Sequence, residues 1–158
     1  MHPRAEAFAE AARDRYGFDP DVHQFDAGTR TAEAAARAVG CDVAGIASSL
    51  AFEAGEDLVV VVTSGANRVS ESRLAGVLGV PEDEVGMADA DRVKSELGWS
   101  IGGVPPICHD APAPVYLDET LLDLDTVWAA AGTPEAVFPI DPRRLRELAD
   151  ATPAAVAE

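Results

Sequence analysis

Two neighbouring apolar segments constrain what this chain can fold into more than any other feature. The segment VAGIASSLAF covers residues 43–52 and LVVVVTSG covers residues 58–65, with only EAGED between them. β-Branched residues favour strands, and a short connection that contains glycine favours a hairpin. We therefore predict that the two segments pair as a hairpin at the centre of a sheet.

Helical patterns and shorter strand patterns flank this hairpin. Apolar residues at helical spacing run from Ala5 to Tyr16 and end before Gly17, and Thr31 is a candidate N-cap for AEAAARAV. Further helices are predicted at 70–78, 90–97 and 142–150, and further strands at 22–25, 84–87, 114–122, 125–132 and 135–140. The pattern indicates one α/β domain over residues 1–158, with a frayed tail at 151–158.

The stretch LGWSIGGVPPICHD, residues 97–110, is unsuited to a regular helix or strand. Gly102 and Gly103 allow positive φ and close backbone approach, whereas Pro105 and Pro106 fix φ and remove two amide donors. We predict a rigid loop whose shape serves a purpose.

Cys108 and His109 follow this loop and invite a catalytic or zinc-binding interpretation. Adjacent residues on extended backbone point to opposite sides, so they do not form a nucleophile–base pair with each other. The other candidate ligands, Cys41, His2 and His23, show no paired ligand spacing. We expect two free cysteines, with Cys108 partly buried and His109 solvated, and neither a metal nor a cofactor.

The charge balance restricts the environment and the partners. The chain has 28 acidic and 12 basic residues, a net charge of -16, and Lys94 as its only lysine. Such a composition is typical of a salt-adapted, halophilic protein, and it argues against binding nucleic acid through a basic patch. No apolar run approaches the roughly 18 residues that span a bilayer, and the start shows no secretory signal. We expect a cytoplasmic protein with no membrane partner.

Polar residues also occur within and after the predicted hairpin. Ser48 and Ser49 are consecutive in a strand, so one hydroxyl lies on each face. In a structural role one hydroxyl bonds to a neighbouring strand, whereas a functional role requires the other to open on a pocket. The SGANR turn at residues 64–68 lacks the glycine pattern of a phosphate loop, which favours an ordinary strand-to-helix connection.

The order of these segments resembles the YbaK/ProX (YbaK/EbsC) family of aminoacyl-tRNA deacylases. The resemblance runs from Thr29 to Ile140 through TRTAEAAARAVGCDVAGIASSLAF, LVVVVTSGANRVSESRLAGVLG, LGWSIGGVPPI, VYLDETLL and VWAAAG. Several separated motifs in one order are more specific than any one of them. The resemblance implies a single compact domain in which helices flank a mixed sheet that is curved or barrel-like.

The resemblance also implies an activity, namely hydrolysis of the ester that joins a wrong amino acid to tRNA. In that family the loop corresponding to Gly102, Gly103 and Val104 lines the substrate cleft, and its amides can stabilise an oxyanion without a side-chain nucleophile. The terminal 2′-hydroxyl of the tRNA would orient the attacking water. The implied partner is the acceptor end of tRNA with its amino acid, and a synthetase partner and the oligomeric state stay open.

This chain departs from the family at one informative position. Family members usually carry a lysine in the strand motif that here reads IASSL, and Ser48 occupies its place. The candidate substrate-binding residues are therefore Thr31, Ser48, Ser49 and Arg68, with Arg68 as a nearby source of positive charge. Two alternatives remain, a catalytically silent protein that binds an aminoacyl-tRNA end or a small aminoacyl compound, and a small-molecule esterase that uses Cys108 or His109.

We predict that the fold is more stable in salt, because 28 acidic side chains against 12 basic ones repel one another when they are unscreened. The melting temperature should rise between dilute buffer and molar potassium chloride. A melting temperature that stays level or falls as salt is added would contradict the salt-adapted interpretation.

Overall fold

The computed structural model describes residues 2–25 and 31–158, so the first two residues of the matching segment, Thr29 and Arg30, lie outside it. The helices are α1 (Pro3–Tyr16), α2 (Ala32–Val39), α3 (Glu71–Leu78), α4 (Ala90–Leu97) and α5 (Pro142–Ala149). The strands are β1 (His23–Gln24), β2 (Ile46–Ala54), β3 (Asp57–Ser64), β4 (Val85–Met87), β5 (Val115–Asp118), β6 (Val127–Ala130), β7 (Ala136–Ile140) and β8 (Thr152–Ala154).

These strands form one mixed sheet. Its order is β1-β7-β6-β2-β3-β5-β8, and β4 pairs separately with β2. Three pairs of neighbouring strands are parallel, namely β2 with β6, β3 with β5, and β5 with β8, and the other neighbours are antiparallel. The predicted α/β class, with a mixed sheet flanked by helices, is confirmed.

The predicted hairpin lies at the centre of this sheet. β2 and β3 pair from Ala47 opposite Ser64 to Ala54 opposite Asp57. Gly55, in the turn, has a φ of +64°, a conformation that glycine adopts without steric cost. The first strand begins three residues later than the apolar pattern suggests, because 43–45 form a 3-10 turn closed by the Gly45 N–H on the Asp42 carbonyl.

Helix α1 covers the sheet through an apolar face of alanines and one phenylalanine. Phe8 is fully buried, and its ring centre lies 5.0 Å from that of Phe138 and 6.3 Å from that of Trp99. Burying one such side chain stabilises the fold by about 1.5–3 kcal/mol. Gly17 ends the helix in the left-handed conformation, as its position in the sequence predicts.

The predicted frayed tail is wrong. Residues 152–154 form β8, which pairs in parallel with β5, and the Val156 side chain is fully buried. Val156 joins a cluster with Val61 and Leu74, and its carbonyl accepts from the Ser70 N–H at 2.7 Å. The tail is ordered because its apolar side chains complete the packing between the sheet and α3.

The segment VYLDETLL also departs from the prediction, since its strand ends at Asp118 and residues 119–123 turn into a 3-10 helix. Asp118 causes this turn, because its side chain accepts hydrogen bonds from the Thr120 N–H at 3.1 Å and hydroxyl at 2.9 Å. The buried carboxylate also accepts from the Thr63 hydroxyl, the Ser64 N–H and the Asn67 amide. Burial opposes its ionisation, but hydrogen bonds from Asn67, Thr120 and Ser64 outweigh that cost and lower its pKa.

These bonds fix the connection at 64–68, which is an ordinary strand-to-helix connection as predicted. Gly65 within it packs tightly, because a Cβ there would lie 2.6 Å from the Val43 carbonyl oxygen and 2.7 Å from the Ala32 Cβ. The connection therefore holds the start of α2 against the sheet. Of the helices in the part of the chain that the structure describes, none is long and apolar enough to cross a membrane.

We predict that Asp118→Asn lowers the free energy of unfolding by on the order of 2 kcal/mol at neutral pH, because hydrogen bonds to a charged acceptor are stronger than those to an amide. The difference between wild type and variant should shrink as the pH falls below the ordinary value of 3.8 and through the lowered folded-state pKa, where the wild-type carboxylate is protonated. Denaturant unfolding in molar salt measures both effects. The exposed Asp125→Asn is the control, and an equal loss in both variants would contradict the role of Asp118.

Candidate functional site

A cavity opens where the sheet divides beside β2. One edge of β2 pairs along its length with β3. On the other edge, Ile46 and Ala47 pair with β6 and residues 52–54 pair with β4. Among the described residues, no strand pairs with residues 48–50 on that edge. The resulting cavity has a volume of about 230 Å³.

The division has identifiable causes in the neighbouring strands. β4 stops because Asp89 caps α4, accepting from the Arg92 N–H at 2.9 Å. β6 turns towards β7, where the Ala131 N–H donates to the Ala136 carbonyl at 3.0 Å. Neither strand continues alongside β2, so no described strand pairs with the edge between them.

The loop at residues 97–110, called the Gly/Pro loop below, covers one side of this opening and is held by several hydrogen bonds. At its base the Asp110 N–H donates to the Leu97 carbonyl at 3.1 Å. Inside it, the Trp99 indole N–H donates to the Cys108 carbonyl at 2.9 Å, and a ring nitrogen of His109 bonds to the Pro105 carbonyl at 2.8 Å. The loop forms no regular helix or strand, as predicted, and these bonds give it one shape.

Helix α1 supports the loop from outside. The Arg15 guanidinium donates to the His109 carbonyl at 3.1 Å, and the Tyr16 hydroxyl accepts from the Cys108 N–H at 3.3 Å. The Arg4 guanidinium lies 4.2 Å from the Trp99 ring centre, a cation–π contact. The helix that completes the core therefore also fixes the loop.

The three loop residues proposed for catalysis have different surroundings. Gly102, with a φ of +93°, and Val104 both line the cavity. Gly103 does not line it and packs against the turn between β6 and β7, where an added Cβ would lie 2.7 Å from the Thr133 Cα. The Gly103 N–H already donates to the Ser100 carbonyl at 3.0 Å, so it is engaged within the loop.

Three of the four candidate substrate-binding residues meet at the cavity. Thr31, Ser48 and Ser49 line it, and Thr31 also caps α2 by accepting from the Ala34 N–H at 3.1 Å. The Ser49 hydroxyl oxygen is buried and has no hydrogen-bond partner among the described residues. The expectation that one serine bonds to a neighbouring strand thus does not hold for Ser49. Arg68 is exposed on the connection after β3, and the structure does not bring it to the cavity.

Cys108 and His109 do not line the cavity. Cys108 is 2% exposed, and burial raises the pKa of its thiol to about 11, so it is neutral at physiological pH. The predicted solvated His109 is wrong, because this side chain is buried against Pro105, and burial is the main cause of its lowered pKa. Both cysteines are free, and the geometry gives no support to a thiol esterase.

The cavity is uncharged over the part contributed by residues 2–25 and 31–158, where no Asp, Glu, His, Lys or Arg lines it. The same residues contain no group of three or more side chains that could hold a metal ion. Hydroxyls without a neighbouring base are poor nucleophiles. This arrangement can hold a small uncharged group beside loop amides, and it favours chemistry by positioning rather than by a side-chain nucleophile.

Sequence reasoning missed several residues of the rim. Met87 and Ile101 flank the opening and are 55% and 52% exposed, which leaves apolar surface for a ligand to cover. Trp128 and Thr133 also line it, from β6 and the turn that follows. The isoleucine lies within the predicted loop and could have been found there, but the other three come together only through the division of the sheet.

Comparison with known proteins places this fold and cavity in a wider context. Uncharacterized protein YwhH of Bacillus subtilis (strain 168) is 30% identical over 131 residues, 81% of this chain and 80% of that protein. Proline–tRNA ligase of Lactobacillus helveticus (strain DPC 4571) is 32% identical over 111 residues, 70% of this chain but 19% of the ligase, so the likeness is to one segment of it.

A solved structure described as "a putative trans-editing enzyme for prolyl tRNA synthetase" is similar over 100% of this chain and 99% of its own, with a TM-score of 0.93 and 37% identity. The family of the aminoacyl-tRNA editing domain matches residues 26–148, which include every residue that lines the cavity. With most of its length matched, the chain belongs to the aminoacyl-tRNA editing domain family.

Proposed function

We propose that this protein hydrolyses the ester bond of wrongly charged tRNA, with the aminoacyl end held in the cavity beside β2. The observation that carries the proposal is the juxtaposition of Gly102 and Val104 with Ser48 and Ser49 around an opening. Among the described residues, no side-chain nucleophile with a base lines that opening. Membership of the editing-domain family supports the reaction type. The partner is the acceptor end of a charged tRNA in the cytoplasm.

The loop would contribute through its backbone. Neither the Gly102 nor the Val104 N–H bonds to another described residue, so both are available to stabilise the oxyanion that forms at the ester carbonyl. Gly103 acts differently, since its N–H is engaged with Ser100 and its close packing on Thr133 positions the loop. The 2′-hydroxyl of the terminal ribose would orient the attacking water.

The lining supports an uncharged amino acid as the substrate. A charged side chain would lose its hydration without meeting an opposite charge on the described walls, which is costly. The likeness to a proline–tRNA ligase and to a "trans-editing enzyme for prolyl tRNA synthetase" supports tRNA for proline as the first substrate to test.

A second candidate is a protein that binds the aminoacyl end without cleaving it. The observation that favours it is Ser48, which stands where the resembled family usually carries lysine, on a wall that has no positive charge among the described residues. A lost ammonium would weaken the hold on the acceptor end, since a charged hydrogen bond contributes roughly 1.5–3 kcal/mol.

The deciding experiment is a deacylation assay in molar potassium chloride with tRNA for proline charged with alanine, cysteine, serine, threonine or proline. We expect at least one wrong amino acid to be released faster than proline. Cys108→Ala should leave the rate nearly unchanged, because the thiol is buried away from the cavity. Binding of the charged tRNA without release of any amino acid would favour the catalytically silent binding protein. A large loss of the deacylation rate in Cys108→Ala would favour the esterase that uses Cys108.

We predict that Gly103→Ala abolishes most of this activity and lowers the free energy of unfolding by about 1–3 kcal/mol, as overpacking does. The added methyl would lie 2.9 Å or less from three backbone atoms of Thr133, so the loop must move. The control is Gly76→Ala on α3, where an added Cβ meets nothing within 4 Å. Full activity in Gly103→Ala would contradict the positioning role of this contact.

We predict that Ser48→Lys strengthens cleavage or binding by about tenfold or more, because one charged hydrogen bond exceeds the 1.4 kcal/mol that corresponds to a factor of ten. Ser48→Met provides similar length without charge and should give no gain. Unfolding is measured beside activity, since a lysine without its phosphate partner can destabilise the fold. A folded Ser48→Lys variant with reduced activity would show that the serine hydroxyl itself positions the substrate.

A further inference from the structure

The backbone of β2 directs both hydrogen-bonding groups of one residue to the open part of its edge. The Ile46 carbonyl accepts from the Gly65 N–H at 2.7 Å, on the side of β3. The Ala51 carbonyl accepts from the Ala88 N–H at 3.0 Å, on the opposite side. Since alternate residues of a strand direct their N–H and C=O groups to the same edge, Ser49 directs both groups to the edge that Ala51 uses.

Ser49 therefore stands at the middle of the gap. The neighbours of Ser49 on this edge have partners, because Ala47 pairs with Ala129 of β6 and the Ala51 carbonyl accepts from the Ala88 N–H. No described strand pairs with Ser49 there, although it lines the cavity and is half-buried. A backbone N–H and C=O in such a place are unsatisfied unless water or a ligand meets them.

From this geometry we infer that the gap binds the aminoacyl group as a one-residue addition to the sheet. The α-ammonium of the bound amino acid donates to the Ser49 carbonyl, and the Ser49 N–H donates to the ester carbonyl. This is the exchange of two hydrogen bonds that an opposed residue makes in an antiparallel pair. The inference rests on the proposed function, and it identifies the ligand class as esters of amino acids with a free α-amino group.

The surroundings support a backbone partner for the ammonium. No carboxylate lines the described part of the cavity, so a carbonyl oxygen is the acceptor that the walls offer beside the hydroxyls. The two strands that flank the gap turn away at Asp89 and Ala131, so no strand of the described chain closes it. The loop with Gly102 and Val104 then meets the same ester carbonyl from another side.

The test compares the aminoacyl-tRNA that is cleaved fastest with the same tRNA carrying the des-amino acid, in which hydrogen replaces the α-ammonium without adding bulk. Each rate is divided by the spontaneous hydrolysis rate of that ester, because the ammonium also activates the ester chemically. We expect the corrected kcat/KM to fall at least tenfold for the des-amino ester, as loss of a charged hydrogen bond implies.

Ser49→Ala is the matched protein control, since it removes the hydroxyl and keeps the backbone groups. It should discriminate against the des-amino ester as strongly as wild type does. Equal corrected rates for the two esters in wild type would overturn the inference while leaving the proposed function intact. If a folded Ser49→Ala variant cleaved both esters at equal corrected rates, the hydroxyl and not the backbone carbonyl would be the partner of the ammonium. That result would also overturn the inference.

A binding measurement keeps the inference testable if no charged tRNA in the panel is cleaved. The probes are two derivatives of 3′-amino-3′-deoxyadenosine, in which an amide replaces the ester. One carries alanine on the 3′-nitrogen, and the other carries a propionyl group, which lacks the ammonium. We expect at least tenfold tighter binding of the alanyl compound and a shift of the Ser49 amide signal in nuclear magnetic resonance spectra. Equal affinities, no binding of either compound, or an unshifted Ser49 amide would overturn the inference.

Discussion

Strand β2 is hydrogen-bonded along its length to β3 on one edge, whereas its other edge is shared by two short strands that leave a gap between them. Pairing with β3 along its length holds β2 at the centre of the sheet, so the gap lies beside an ordered strand. The cavity, the unpaired backbone groups of Ser49 and the position of the Gly/Pro loop beside them all depend on this unequal use of the two edges.

The oxyanion stabilisation that we propose for the loop requires a backbone held in one shape. Its amides can stabilise a developing charge only if they are already in place, because reorganisation during the reaction would consume the stabilisation. Trp99 and His109 bond to the loop's own carbonyls, and Gly103 packs against the Thr133 backbone. Residues that a sequence reader would assign to catalysis, such as the histidine, are used here to build the loop.

The lack of charged side chains on the described walls of the cavity is consistent with the strongly acidic composition of the chain. At molar salt the Debye length is about 3 Å, so attraction between distant charges contributes little to binding. A site that recognises an aminoacyl end through backbone groups and apolar contacts does not depend on long-range attraction. Direct hydrogen bonds and burial of the rim residues Met87 and Ile101 would keep their strength in such conditions.

Local patterns in the sequence determined most of the secondary structure and the class of the fold. The β-branched run of β3 and the caps at Thr31, Asp89 and Asp141 act within a few residues, so they can be recognised without the structure. The Gly/Pro stretch likewise predicted a shaped loop, and the order of the motifs indicated the family. Where the local pattern was weak, the prediction failed. The tail was expected to be frayed, but Val156 packs against partners that are distant in the sequence.

Only the tertiary structure decided where the candidate residues lie. It brought Ser48 and Gly102 to one cavity, directed Gly103 onto Thr133, left Arg68 on the connection after β3 and buried Cys108. These outcomes depend on where β4 and β6 leave β2, and that is set by packing between segments far apart in the chain. A sequence shows which residue types are present, but the pairing of distant strands determines which of them face the same space.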